Sequence, residues 1–332
     1  MSKANIPIFV SHKGCPNDCI FCNQRRITGK SGSVTSEDVE KIVTEWLSYV
    51  KDEAEIAFFG GSFTGIDMAL QKELLGAAKK FVDGEKITGI RLSTRPDYIN
   101  EEIIEHLLSF GVTAVELGAQ STDADVLKIA RRGHTTDDIF KASHLIRESG
   151  MTLGLQMMTN LPGSTYEKDI KTCLDFIDMS PSEVRIYPTL VLKDTYLCDM
   201  YEKGEYTPAT VEEAVELTAH LTELFDKAKI RVIRTGLQPS DSLTEGYVAG
   251  PFHPAFGEMA QSRLILNRVL RYIEEENPGQ LVIYCEEKYK SRLYGQRRSN
   301  MHKIERRMDG MVTVFEAPEG SGIRLWKTKI YD

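Results

Sequence analysis

Apolar residues recur along the chain in two alternating rhythms. Short apolar runs stand at residues 6–11 (Ile-Pro-Ile-Phe-Val-Ser), 55–59, 88–93, 112–118, 151–157 and 183–187. Runs of this length, several of them ended by glycine, predict buried parallel strands. Between them the apolar spacing is helical: Val39, Ile42, Val43, Trp46, Leu47 and Val50, then Leu70, Leu74, Leu75, Ala78, Phe81 and Val82. Further helices are predicted at 99–109, 123–131, 136–149, 165–179 and 209–228. Thr35-Ser36-Glu37-Asp38 reads as a capping box opening the first of these helices. Six serial β/α units require a parallel sheet with helices outside it. The expected fold class is therefore α/β, a partial (β/α)6 TIM-type barrel over 1–235, with a small C-terminal α+β extension over 236–332. Ligands of such a sheet belong at the C-terminal ends of its strands.

Past residue 235 the texture changes. Residues 236–257 are rich in Gly, Pro and Ser, and a helix is predicted near 256–276. Strands at 311–317 and 323–330, joined by Pro318-Glu319-Gly320-Ser321-Gly322, predict a β-hairpin.

Composition narrows the class. With 41% apolar and 27% charged residues the chain can build a core, which excludes a disordered chain. No uncharged apolar run reaches the ~18 residues of a membrane span, and the N-terminal apolar stretch is too short for a signal peptide. The expectation is a cytoplasmic protein without membrane contact. A net charge of -8 argues against nucleic-acid binding over the whole surface. Three of the six cysteines, Cys15, Cys19 and Cys22, fall within eight residues just after the first predicted strand. In a cytoplasmic chain such clustering means metal or redox chemistry before disulfides. Cys173, Cys198 and Cys285 are scattered and read as small buried apolar residues.

Gaps this short let three thiolates wrap a small cluster. Thiolates are soft ligands for iron–sulfur clusters or zinc. Three cysteines leave a cubane with one open iron; the zinc alternative would recruit His12 as fourth ligand. The spacing Cys-x3-Cys-x2-Cys, with Phe21 before the last cysteine, resembles the signature of the radical S-adenosylmethionine (SAM) superfamily. That resemblance implies a 4Fe-4S cluster whose open iron chelates SAM. Its cleavage gives a 5′-deoxyadenosyl radical, with electrons from a donor such as flavodoxin or ferredoxin. Gly60-Gly61-Ser62-Phe63 could mark a plain turn, but after this loop it is similar to the superfamily's Gly-Gly motif, which holds the methionine amino group.

Further motifs point the same way: Thr94–Tyr98, Val115–Ser121, Arg131–Thr135, Leu161–Gly163, Arg185–Val191, Tyr201–Tyr206 and Gly250–Glu258. In this order they resemble the catalytic subunit family of Elongator over about residues 7–265, and more distantly oxygen-independent coproporphyrinogen oxidases. The resemblance implies that Ser93, Gln120, Arg132 and Gln156 surround the nucleoside and carboxylate of SAM. Relatives commonly carry an acid where Ser93 and Gln156 stand, although either side chain can still bond a ribose hydroxyl. Elongator subunits have a longer gap between the first two cysteines, and an acetyltransferase domain. Here 75 residues follow Gly257, so the expectation is a radical half without acetyl-CoA chemistry.

One segment suggests RNA. Residues 288–307 hold eight Lys/Arg against one Glu, interleaved with Tyr289, Tyr294 and His302. Cations neutralise phosphates and aromatic rings stack on unpaired bases. The leading expectation is radical modification of RNA, with tRNA as partner. The alternatives are a radical reaction on a small metabolite or protein side chain, and a non-enzymatic zinc-stabilised RNA-binding module. The basic segment could also be a plain solvated surface.

Overall fold

The computed structural model describes residues 4–10, 19–23, 34–82, 84 and 86–328. Seven strands form one parallel sheet in the order β1 (Ala4–Phe9), β2 (Ala54–Phe59), β3 (Ile87–Thr94), β4 (Val112–Gln120), β5 (Thr152–Thr159), β6 (Glu183–Pro188) and β8 (Arg231–Thr235). Two short strands, β7 (Val191–Leu192) and β9 (Tyr247–Ala249), pair with each other antiparallel. The helices lie where the periodicity puts them, among them Ser36–Leu47, Met68–Val82, Glu101–Ser109, Thr136–Glu148 and Tyr166–Met179. The side chains of Thr35, Asn100, Asp123, Thr135, Thr165 and Thr195 each accept a backbone N–H at a helix start. The capping box between Thr35 and Asp38 is present.

The main sheet is a curled, open half-barrel, a partial TIM-type barrel. Both faces of its strands are largely buried, yet the two faces differ. Ile90 and Leu92, Val115 and Leu117, Leu153 and Leu155, and Val184 and Ile186 are buried apolar residues on one face. The alternate positions carry Glu55, Arg91, Glu116, Gln156, Glu183 and Arg185. Arg91 of β3 donates to Glu55 of β2 at 2.8 Å, to Glu116 of β4 at 2.7 Å and to Glu183 of β6 at 2.6 Å. Carboxylates from three strands converging on one guanidinium mark the concave face of the curl.

β8 adds a seventh strand to the six expected. Its sequence, Arg-Val-Ile-Arg-Thr, holds only two apolar residues and is largely half-exposed, as an edge strand allows, so it carries no buried-run signal.

The chain divides into two compact units. One runs to Thr210 and resumes at Leu224–Phe252; the other joins Val211–Glu223 to the chain from His253 onward. Residues 236–252, grouped by the sequence with the extension, thus fall in the first unit. The second unit contains a three-stranded sheet in the order β11 (Val312–Ala317), β10 (Gln280–Glu286), β12 (Ile323–Thr328). The helix Phe256–Glu276 and two shorter ones, Glu287–Tyr294 and Ser299–Arg307, share a buried cluster with it: Leu266, Val269, Leu281, Ile283, Leu293 and Ile304.

The predicted hairpin is not formed. β11 and β12 flank β10, the first parallel and the second antiparallel to it, so Pro318–Gly322 spans an intervening strand. β10 contributes the buried Leu281, Ile283 and Cys285, and it occupies the pairing edge a hairpin would have used. Among the described residues no helix is long and apolar enough to cross a membrane.

Candidate active site

The site lies where β2, β3 and β4 end. Gly60 follows β2 with φ of +98°, a conformation that disfavours any side chain. The turn it makes is tied to β3. Ser62 Oγ lies 2.9 Å and Thr64 Oγ1 2.6 Å from Thr94 Oγ1, and the Arg95 N–H donates to Ser62 Oγ at 3.2 Å. Phe63 is buried with its ring centroid 4.9 Å from that of Phe58. The Ser62 and Phe63 side chains therefore hold the Gly60–Gly61 backbone in place.

Across the strand ends, Arg132 is buried between two partners. Its Nη1 donates to Cys19 Sγ at 3.0 Å and its Nη2 to the Gly118 carbonyl. Arg131 (φ +53°) and Gly133 (φ +75°) bracket it in left-handed conformations that turn the chain around the guanidinium. Arg95 forks onto Asp97 with two bonds of 2.9 Å and donates to the Arg132 carbonyl, which fixes the same turn. Cys19 is itself anchored. Ile20 N–H donates to Ala130 O at 3.3 Å, Leu197 N–H donates to Ile20 O at 2.8 Å, and Cys22 N–H donates to Cys19 O at 3.0 Å. Ile20 packs with Ala130, Val191, Leu197 and Tyr206 in a small apolar cluster. Cys15 and His12 lie outside the described residues.

Gln120 ends β4 with φ of +69°, and its buried Oε1 has no hydrogen-bond partner among the described residues. Gly118 marks the centre of the group: a Cβ built there would stand 3.3 Å from Gln120 Nε2, 3.5 Å from Arg132 Nη2 and 3.6 Å from the Thr94 carbonyl. The three groups therefore lie within van der Waals reach of one point. Ser62, Thr94, Gly118, Gln120, Arg132 and Cys19 thus form one connected surface. His134 lies beside it, its Nε2 3.2 Å from the Ala119 carbonyl. Burial first, then the guanidinium groups of Arg132 and Arg95, push its pKa down to about 4, so the ring is neutral at pH 7.

Ser93 and Gln156 stand together one strand face inward. Gln156 Nε2 donates to Glu116 Oε2 at 3.1 Å and lies 3.4 Å from Ser93 Oγ, on the concave face of the curl. There they join a network that motif reading did not assign. Arg185 donates to Glu116 through Nε at 2.5 Å and Nη2 at 2.9 Å, and Arg231 bonds Glu183 at 2.7 Å. Burial works to raise the Glu116 pKa, but Arg185 and Arg91 outweigh it and hold the carboxyl below its usual range. Tyr187, next inward-facing residue after Arg185, has its pKa raised by burial. The signal for this network was present as charged residues at alternate positions of strands otherwise apolar.

The donor set suits an iron–sulfur cluster with a polar cofactor beside it. Cys19 and Cys22 supply soft sulfur, a buried guanidinium stands against the Cys19 sulfur, and Gln120 offers an acceptor unused among the described residues. Comparison with known proteins agrees. A family model described as Radical SAM superfamily matches residues 9–177, and one described as Radical_SAM C-terminal domain matches residues 181–265. The chain belongs to the radical SAM superfamily. The tRNA uridine(34) acetyltransferase of Methanocaldococcus infernus is 32% identical over 203 residues, covering 55% of this chain and 38% of that protein. Elongator complex protein 3 of Mus musculus is 33% identical over 198 residues, covering 54% of this chain and 36% of that protein. The solved structure of the archaeal Elp3 of Methanocaldococcus infernus superposes with a TM-score of 0.63 at 26% identity, covering 82% of this chain and 63% of that one. Coproporphyrinogen III oxidase of Escherichia coli shares the fold, with a TM-score of 0.51 at 16% identity. The chain spans half or less of the length of the curated relatives named here. It is a radical SAM enzyme with Elongator-type relatives.

Proposed function

We propose that the chain binds a 4Fe-4S cluster on Cys15, Cys19 and Cys22, binds SAM against Gly60, Gly61, Gln120 and Arg132, and uses the pair to modify tRNA. When bound, cluster and SAM supply a 5′-deoxyadenosyl radical that takes a hydrogen atom from the substrate. The chain's own residues bind and orient. Arg132 sets a positive charge against the Cys19 thiolate, and Ser62 and Phe63 hold the Gly60–Gly61 turn open for close approach. Gln120 Oε1 would accept a hydrogen bond from the cofactor, and Ser93 and Gln156 would offer polar groups to it from the concave face. An electron donor such as flavodoxin or ferredoxin completes the system, and catalysis belongs to the first unit, in the cytoplasm. The tRNA substrate is supported by the names of the relatives. The basic helices at 288–307 would provide a phosphate contact.

The observation that carries this reading is the convergence of Cys19 Sγ, Arg132 and Gln120 Oε1, which has no partner among the described residues, at the C-terminal ends of parallel strands. Anaerobic reconstitution tests it. The wild type should hold about four irons and release 5′-deoxyadenosine from SAM when reduced. The triple variant Cys15→Ala, Cys19→Ala, Cys22→Ala should lose both. Gly61→Leu should keep the iron and lose the release, because a side chain there fills the approach. Normal iron and sulfide in the triple variant would overturn the assignment. Comparative mass spectrometry of tRNA nucleosides from cells with and without the protein tests the substrate class.

A further inference from the structure

The basic segment offers less free charge than its composition suggests. Lys288 pairs with Glu286, Lys290 with Glu287, Arg292 with Glu258, Arg298 with Glu305 and Arg307 with Glu274. The other face of the second unit's sheet is different. Along β10 the buried residues are Leu281, Ile283 and Cys285, which face the helices, so Val282 and Tyr284 face outward. The register places Phe315 of β11 and Arg324 of β12 on either side of Tyr284, and Thr313 and Trp326 on either side of Val282. Three aromatic residues thus stand on one open face, with exposures of 40% for Tyr284, 49% for Phe315 and 65% for Trp326. The Tyr284 and Phe315 rings are stacked, with centroids 5.6 Å apart and 26° between planes. Arg324 is exposed beside them and has no ion pair among the described residues.

Aromatic side chains in such number on a solvent face call for a partner. Charge selects which one. Between the Gln280–Thr328 pair and the Tyr284–Phe315 pair, the outward positions of the three strands hold Arg324 and no carboxylate. A surface of ring faces with an exposed guanidinium and no carboxylate beside it matches unpaired bases joined by phosphates. We infer that this sheet face is a stacking platform for a single-stranded segment of RNA, with bases on Trp326, Tyr284 and Phe315 and a phosphate on Arg324. The inference rests on the reading of tRNA as substrate and names the surface that would take its unpaired loop.

The test uses the full chain, reconstituted, with Trp46→Phe so that Trp326 is the only indole. Titration with an unstructured oligouridylate of about 12 nucleotides should quench Trp326 fluorescence. By fluorescence anisotropy of labelled RNA, Tyr284→Leu and Trp326→Leu should each weaken binding roughly 5- to 100-fold with the salt slope unchanged. Tyr284→Phe and Trp326→Phe keep a ring and should bind as the wild type does. Leucine keeps the apolar contact, so a loss confined to the leucine variants reports stacking. Arg324→Ala should instead flatten the salt slope by about 0.7. If the wild type binds RNA and the leucine variants bind it equally, the platform is overturned and the tRNA reading stands. If the wild type does not bind, both fall. If sedimentation shows a dimer that Trp326→Leu dissolves, the face is covered by a second copy and the inference is overturned.

Discussion

Single residues set the tolerances of the barrel. Gly154 of β5 is an example: a Cβ built there would lie 2.9 Å from Glu116 Cγ and 3.5 Å from Glu116 Cα. Glu116 is held by Arg91, Arg185 and Gln156, so it has nowhere to retreat. Gly154→Ala should therefore cost about 1–3 kcal/mol, measured by urea denaturation followed through far-UV circular dichroism. An unchanged midpoint would mean that the strand yields where the register says it is fixed. Much of the site was legible at this scale. Cys19, Gln120 and Arg132 are singled out by motif order and do stand together around Gly118, Gln120 at the end of β4 and Arg132 in the turn after the helix Ala124–Ile129. Ser93 and Gln156 were legible as residues near the site but not as members of a charge network. Gln156 bonds Glu116 of β4, which in turn bonds Arg91 of β3 and Arg185 of β6, and a linear reading carries no signal for such contacts.

At the scale of elements, the concave face depends on one arginine. Arg91 bonds carboxylates from three strands, and burial makes each of those charges expensive without it. Arg91→Met should destabilise the first unit by about 3–5 kcal/mol. Glu116 would keep Arg185 and Glu183 would keep Arg231, so the loss falls hardest on Glu55. Adding Glu55→Gln to Arg91→Met should then recover part of the loss, as chemical denaturation would show; no recovery would contradict the network. The strands of the barrel were legible because each carries at least one fully buried apolar face in a short run between helical segments. β8 and β10 were not. β8 is a half-exposed edge strand, and β10 has its apolar residues cut short by Cys-Glu-Glu and followed by a basic helix. Missing β10 turned β11 and β12 into a false hairpin, since two strands with a glycine-rich link between them look paired until a third strand is placed.

At the scale of the molecule, two buried groups in the first unit respond to acid in opposite directions. Asp169 accepts from the Asn160 N–H at 2.9 Å and from Ser164 Oγ at 2.6 Å, yet burial outweighs these bonds and pushes its pKa from 3.8 up to about 6. Its protonated form favours the folded state. That contribution is full below about pH 4 and lost as the pH rises through 6. His134 is the reverse: its pKa drops from 6.5 to about 4, so its contribution is full above 6.5 and lost as the pH falls towards 4. Between pH 4 and 6 the two slopes oppose. Asp169→Asn removes one of them, and the stability of the first unit should then fall more steeply on acidification than in the wild type. The protein has two tryptophans, Trp46 in the first unit and Trp326 in the second. In a Trp326→Phe background, fluorescence follows the first unit alone, and equal slopes for the two proteins would dismiss this assignment.

The interleaving of the two units also orders events on the ribosome. Glu216 belongs to the second unit but is made before β8, the last strand of the first. Its partners come later, Arg263 by 47 residues and Asn267 by 51, and Glu223 precedes Arg271 by 48. At roughly 5–20 residues per second, these carboxylates leave the exit tunnel about 2–10 s ahead of the groups they will bond. The barrel's seventh strand emerges inside that interval. The parallel sheet can therefore be completed while the second unit is still being translated, and the helix Val211–Lys227 must spend those seconds hydrated on its acidic side. Its run of Glu212, Glu213 and Glu216 keeps that waiting surface soluble in the nascent chain.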